Sequence, residues 1–168
     1  WTRLPEQRVV SNFPMNLDIH VTNHCNLKCI HCRRTLEDQL GLLTDKGYMD
    51  FDLYKKIIDE AVAEGCCAVH LTGNGEPLMH KRIVDMISYA REAGIMDVFM
   101  HSNGMRLTEE TSKRLLGAGL NRIIFSLDSP IPEDYERIRV GARFDVVYEN
   151  IKRFSRLRDE MGLEYPHI

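Results

Sequence analysis

The sequence predicts an α/β fold, a parallel sheet with helices outside it. Three observations carry that expectation. Short apolar runs of strand length recur four times, and stretches of helical period lie between them. Strands alternating with amphipathic helices imply parallel pairing with right-handed crossovers. Polar or glycine-containing residues follow each run, and in parallel α/β folds the loops beyond the C-terminal strand ends hold ligands.

The elements follow in order. In residues 16–22, Leu17, Ile19 and Val21 alternate with Asp18, His20 and Thr22, as a strand with one buried face does. A cysteine-rich loop comes next. Leu53, Ile57, Ile58, Ala61 and Val62 form a helical stripe that Gly65 stops. Residues 67–72 (CAVHLT) read as the second strand, and TGNGEP follows from residue 72. His80 is expected to begin the next helix, whose stripe of Ile83, Met86, Ile87 and Ala90 ends at Gly94. Residues 97–102 (DVFMHS) are the third strand and run into SNG at 102–104. Thr108 is a candidate N-cap, with Glu109 and Glu110 in the favourable first turn; that helix carries Leu115 and Leu116 and ends near Gly117 and Gly119. Residues 121–127 form the fourth strand, with SLDS at 126–129. Val147, Ile151, Phe154 and Leu157 mark the last helix, ending at Gly162, and LEYPHI opens a fifth strand. This order suits either an open doubly wound sheet or a barrel. A complete eight-fold barrel takes about 250 residues, so a barrel here is partial.

The 168 residues suffice for one domain with a core, and 43% hydrophobic residues argue against disorder. A net charge of −3 gives no reason to expect a nucleic-acid or membrane surface. No apolar run approaches the roughly 20 residues of a membrane helix. The polar start lacks an initiator Met and a signal-peptide pattern, and the tail stops abruptly, so an excised piece of a longer protein is expected. Five cysteines, three of them crowded together, fit a reduced cytoplasmic setting better than a secreted one.

Those three are Cys25, Cys29 and Cys32, in HCNLKCIHC. Buried small hydrophobes explain them poorly, because Asn23, His24, Lys28, Arg33 and Arg34 surround them. Zinc takes four ligands, usually as two knuckles; the fourth would be His24 or His31, and no second knuckle follows. An iron–sulfur cluster remains. Three thiolates on a four-iron cubane leave one iron open, which suits a cluster that binds and activates something.

Cys25-x3-Cys29-x2-Cys32 after a first strand resembles the signature of the radical S-adenosylmethionine (SAM) superfamily. GNGEP after strand two, SNG after strand three and SLD after strand four are similar to that family's further motifs, so the likeness covers nearly the whole chain. It implies a partial (β/α) barrel of the radical SAM type, truncated after about four to five βα units. Residues 1–15 would be an N-terminal extension and 16–168 the core, its C-terminal part missing. The texture of residues 108–151 is most like the SPASM/twitch-type subgroup, whose C-terminal domain carries auxiliary clusters.

By the same resemblance, Cys25, Cys29 and Cys32 ligate a [4Fe–4S] cluster, and SAM chelates the open iron. Reductive cleavage of SAM gives a 5′-deoxyadenosyl radical that abstracts a hydrogen atom from a peptide or a sugar- or aminocyclitol-like small molecule. A reducing partner such as flavodoxin or ferredoxin is implied. Gly73 and Gly75 let the backbone approach SAM, Glu76 accepts from its ammonium, and Pro77 stiffens the turn; Asn74 stands where the family often has glycine. His31 offers a ring to the adenine. Asn103, Ser126 and Asp128 suit ribose hydroxyls or the SAM carboxylate, and Arg139 pairs with that carboxylate, with Arg137 and Arg143 as rivals. Outside the site, Cys66 and Cys67 read as core thiols, His20, His70 and His101 as barrel histidines with satisfied partners, and Arg33–Arg34 as solvated. The reading from another class is a non-catalytic module, zinc-stabilised or electron-transferring.

Overall fold

The computed structural model describes residues 13–168. The expected extension 1–15 therefore lies largely outside the described residues. Four strands form one parallel sheet: β1 (Asn16–His20), β2 (Ala68–Thr72), β3 (Asp97–Ser102) and β4 (Arg122–Phe125). Their spatial order is β1-β2-β3-β4. The winding never reverses, as it must in a doubly wound sheet, so the barrel alternative holds. The helices are α1 (Arg33–Gln39), α2 (Phe51–Ala63), α3 (Ile83–Ala93), α4 (Glu109–Gly117), α5 (Pro132–Ile138) and α6 (Phe144–Glu160).

Strand alternation decides which face is dry. Ile19, Val69, Leu71, Val98, Met100 and Ile123 are buried against Tyr54 and Ile58 of α2, Met86 and Ile87 of α3, Leu115 of α4 and Phe154 of α6. Each such side chain contributes about 1.5–3 kcal/mol by leaving water. The opposite face presents Asp18, His70, Phe99 and His101, none of them fully buried. The Tyr54 hydroxyl enters the core by donating to Met86 O at 3.0 Å. Asp50 caps α2, accepting from the backbone N–H of Asp52 and Leu53, and Thr108 caps α4 by accepting from Thr111 N.

A second, smaller core joins Leu27 and Cys29 to Tyr135, Ala142 and Val147. It packs the cysteine loop onto α5 and α6.

Several boundaries differ from expectation. The short helices α1 and α5 lie where none was read. Strand β1 stops at His20, and Thr22 instead bridges antiparallel to Tyr48. LEYPHI contributes one parallel bridge to β4, with Ile123 N donating to His167 O and His167 N to Asn121 O. His80 sits ahead of α3, buried, with Nε2 on Met49 O and Nδ1 accepting from Arg82 N. Arg33 is solvated and paired with Glu37, but Arg34 is buried, with Nε donating to Asn23 O at 2.6 Å.

Candidate active site at the C-terminal strand ends

Every residue that the resemblance assigns to the cluster or to SAM, except Asp128, lines one cavity of about 240 Å³ beyond the C-terminal ends of the strands. Cys25, Cys29, His31 and Cys32 come from the loop after β1, and Gly73, Asn74, Gly75, Glu76 and Pro77 from the loop after β2. Asn103 follows β3, Ser126 follows β4, and Arg139 arrives from the end of α5. His101, in β3, lines it too. A neighbouring open cavity of about 410 Å³ shares Asn74 and includes His20, Asp45 and Tyr48.

The cysteine loop is held in extended form. Lys28 N donates to Val140 O and Ile30 N to Ile138 O, both at 2.9 Å. Lys28 and Ile30 consequently face out, while Leu27 and Cys29 alternate inward and are buried. Cys32 begins α1, its carbonyl accepting from Thr35 N and Leu36 N. All three thiols are free. Burial pushes the Cys25 and Cys29 thiols up, and the Arg139 guanidinium pulls Cys29 the other way. Arg139 Nη1 lies 3.8 Å from Cys29 Sγ, and Asn103 Nδ2 lies 4.0 Å from Cys25 Sγ.

This donor set fits a cluster better than one ion. Among the described residues, no three His, Cys, Asp or Glu side chains gather as a single-ion site. His24, a candidate fourth zinc ligand, is stacked on Tyr48 at 4.4 Å. Three sulfurs facing one cavity, with cationic and amide donors beside them, are what an iron–sulfur cluster takes from a protein. The Tyr135 hydroxyl is buried without a hydrogen-bond partner in the same small core as Cys29, and Arg139 and Cys29 both act on it electrostatically.

The glycine loop is packed against the backbone of the cysteine loop. A Cβ on Gly75 would lie 2.5 Å from the carbonyl oxygens of both Thr22 and His24. Gly73, at φ 132°, would place one 3.0 Å from the His20 side chain. Next to them Glu76 is only 3% exposed. Its Oε1 accepts from Ser102 Oγ at 2.7 Å and Leu78 N at 3.2 Å, and Oε2 accepts from Asn103 N at 2.8 Å. Glu76 N donates to His24 O. This residue therefore ties the loops after β1, β2 and β3 together. Burial pushes its carboxyl up, against the pull of those donors. Ser102 belongs to the SNG motif, yet nothing in that motif assigns it this contact.

Arg139 separates from its rivals. Its Nη2 donates to Asp128 Oδ1 at 3.0 Å and its Nε lies 2.6 Å from Oδ2. The Arg139 side chain is 12% exposed, whereas Arg137 and Arg143 pair with Asp134 and Asp145 in solvent. Asp128 is thus placed behind Arg139, outside the cavity lining. His31 and Asn74 sit exposed at the rim, and Ser126 N donates to Ser102 O. Cys66 and Cys67 lie at the opposite end of the sheet, with thiols directed at Ala68 O and Gly65 O.

Among curated proteins, the chain is 35% identical over 137 residues to a GTP 3',8-cyclase of Heliobacterium modesticaldum, covering 81% of this chain and 41% of the relative. It is 32% identical over 155 residues to a tungsten-containing aldehyde ferredoxin oxidoreductase cofactor-modifying protein of Pyrococcus furiosus, covering 90% and 41%. The chain thus spans about two-fifths of the length of these relatives. Among solved structures, Streptococcus suis SuiB bound to S-adenosylmethionine superposes with TM-score 0.73 at 21% identity, over 86% of this chain and 32% of that one. BtrN in complex with AdoMet and 2-DOIA gives 0.65 at 21%, over 83% and 52%. The family model described as the radical SAM superfamily matches residues 19–161. A one-way parallel sheet, three free thiols after its first strand and a match across most of the chain lead to one conclusion: this chain belongs to the radical SAM superfamily, whose cofactors are a [4Fe–4S] cluster and S-adenosylmethionine.

Proposed function

We propose that Cys25, Cys29 and Cys32 ligate three irons of the cluster and that SAM fills the cavity beside them. When bound and reduced, the two cofactors supply a carbon-centred radical able to take a hydrogen atom from a substrate. The observation that carries this reading is the convergence of four sequence-distant loops on the cavity that the three sulfurs face.

The chain's own side chains have positioning tasks. Arg139, fixed by Asp128, directs its fork at the Cys29 sulfur and offers a cation to a carboxylate in the cavity. The Gly73–Gly75 turn packs against the cysteine loop and presents its backbone along the cavity to SAM. Glu76 keeps the surrounding loops in register and retains an Oε2 lone pair for an ammonium. Asn103 and Ser126 serve hydroxyls, and His31 offers its ring at the rim. A small reductant such as flavodoxin or ferredoxin supplies the electron.

Two substrate readings stand. The peptide or aminocyclitol class rests on sequence texture, and the neighbours that favour it show the fold alone at their identities. A nucleoside triphosphate is better supported, because several relatives at 30% identity or more are named GTP 3',8-cyclases.

Anaerobic reconstitution followed by reduction tests the core reading. Iron, sulfide and 5′-deoxyadenosine are expected, and Cys29→Ala should abolish that product. Equal product from the variant would overturn the ligand assignment. Added GTP should raise product formation if the nucleotide reading holds, and a sugar or peptide should do so if it does not.

A further inference from the structure

On the cavity side of the sheet, three side chains form a hydrogen-bonded row across three strands. Asp18 in β1 lies opposite His70 in β2, and His101 stands two residues beyond Phe99, the β3 partner of His70. His70 Nδ1 is 3.0 Å from Asp18 Oδ1, and His70 Nε2 is 2.6 Å from His101 Nδ1. Phe99 stacks on the His70 ring at 4.3 Å and 7°, holding its plane. At one end Asp18 has a side chain 60% exposed; at the other, His101 lines the cavity that holds the three cysteines.

With both rings neutral, the row has one arrangement of protons. A carboxylate only accepts, so His70 carries its proton on Nδ1, and in the neutral ring Nε2 is bare. That bare nitrogen accepts from His101 Nδ1–H, and His101 is left with a bare Nε2. Proton positions chained in this way are how a carboxylate orients a catalytic imidazole.

We propose that Asp18, His70 and His101 form a base for the substrate, with His101 Nε2 taking a proton from an O–H or N–H group. This rests on the radical SAM reading above and adds a substrate class: a hydroxyl- or amine-bearing molecule seated against the C-terminal half of β3. His101 is the catalytic residue; His70 and Asp18 position it. The step balances without redox change. The substrate O–H or N–H bond breaks and its proton goes to His101 Nε2. His101 becomes an imidazolium whose Nδ1–H still donates to His70 Nε2, while His70 Nδ1–H donates to the Asp18 carboxylate, which stabilises the positive charge without taking the proton. The Nε2 proton leaves to water once the product has departed, and the base is restored. Deprotonation beside a carbon that has lost a hydrogen atom makes the resulting radical a stronger reductant, so base and radical chemistry reinforce one another. Burial holds His101 below the ordinary histidine value while Asp18 acts the other way, which favours the neutral, accepting ring.

The test is the ring-nitrogen state of His101 in the cluster-loaded protein. ¹⁵N-histidine NMR, assigned with His70→Gln and His101→Gln, should show a protonated Nδ1 and a bare Nε2 on both rings. Asp18→Asn should reverse the pattern, because an amide can donate to His70. Diethyl pyrocarbonate, which attacks bare imidazole nitrogens, should then modify His101 at least about fivefold more slowly than in the parent. An Nε2–H on His101 in the parent, or no change in tautomer and reactivity with Asp18→Asn, overturns the proposal. The same parent sample, reduced with SAM, reports 5′-deoxyadenosine independently. Failure of the radical reading therefore shows as lost product, and failure of the base as a wrong tautomer.

Discussion

A single carboxylate shows how far residue identity carries. The sequence marks Glu76 as a SAM ligand, because an acceptor within a glycine turn suits an ammonium. The structure gives it three protein donors first. The two from Ser102 and Asn103 could not be read in advance, since they join residues 26 and 27 positions apart. Asp128 has a similar history: a polar residue after β4 was legible, but that Arg139 occupies its carboxylate was not. Arg34 resembles Arg33 in sequence and differs only once α1 turns it onto Asn23 O. Glu76→Gln tests this scale. One amide nitrogen must then face a donor, leaving an unsatisfied buried group that costs about 1–3 kcal/mol. Urea unfolding should show that loss, and an unchanged midpoint would mean that the carboxylate is not holding the loops.

Elements were legible where a periodic apolar stripe was long. Helices α2, α3, α4 and α6 announce themselves through such stripes. Helices α1 and α5 have seven residues each, and α1 buries Arg34 and Thr35 in place of an apolar row. Pro132 followed by Glu133 and Asp134 was a usable start signal for α5. The LEYPHI segment keeps one bridge to β4, in part because Pro166 has no N–H to give a ladder. Asp50→Ala removes the carboxylate that accepts from two backbone N–H groups at the start of α2 and should cost about 1 kcal/mol in urea unfolding, with 5′-deoxyadenosine formation unchanged. Gly75→Ala has the opposite profile. Its Cβ meets two carbonyl oxygens that cannot yield without moving the cysteine loop, so SAM affinity should fall at least about tenfold, together with about 1–3 kcal/mol of stability. Normal SAM affinity in isothermal titration would contradict the packing described here.

For the whole molecule, strand and helix content was legible from local periodicity, which does not encode spatial order, so the partial barrel was expected from the motif resemblance alone. The β1-β2-β3-β4 order bears that expectation out. The molecule also divides its apolar interior into two parts that the sequence does not separate. Ile58 belongs to the core beneath the sheet, and Tyr135 to the smaller one beneath the cysteines. Local units of a protein open with their own free energies. Tyr135→Ala should therefore lower iron content after reconstitution more than it lowers the melting temperature. Ile58→Ala, costing about 2–5 kcal/mol, should do the reverse. Parallel losses in both variants would show that the two cores melt as one.

The contacts of Glu76 reach beyond stability. Because one side chain and its own N–H clasp three loops at once, occupancy at any of them is felt by the others. Thermodynamics makes such communication reciprocal: if SAM helps the protein retain iron, iron must strengthen its grip on SAM by the same factor. Severing that clasp should leave two ligands that bind in ignorance of each other.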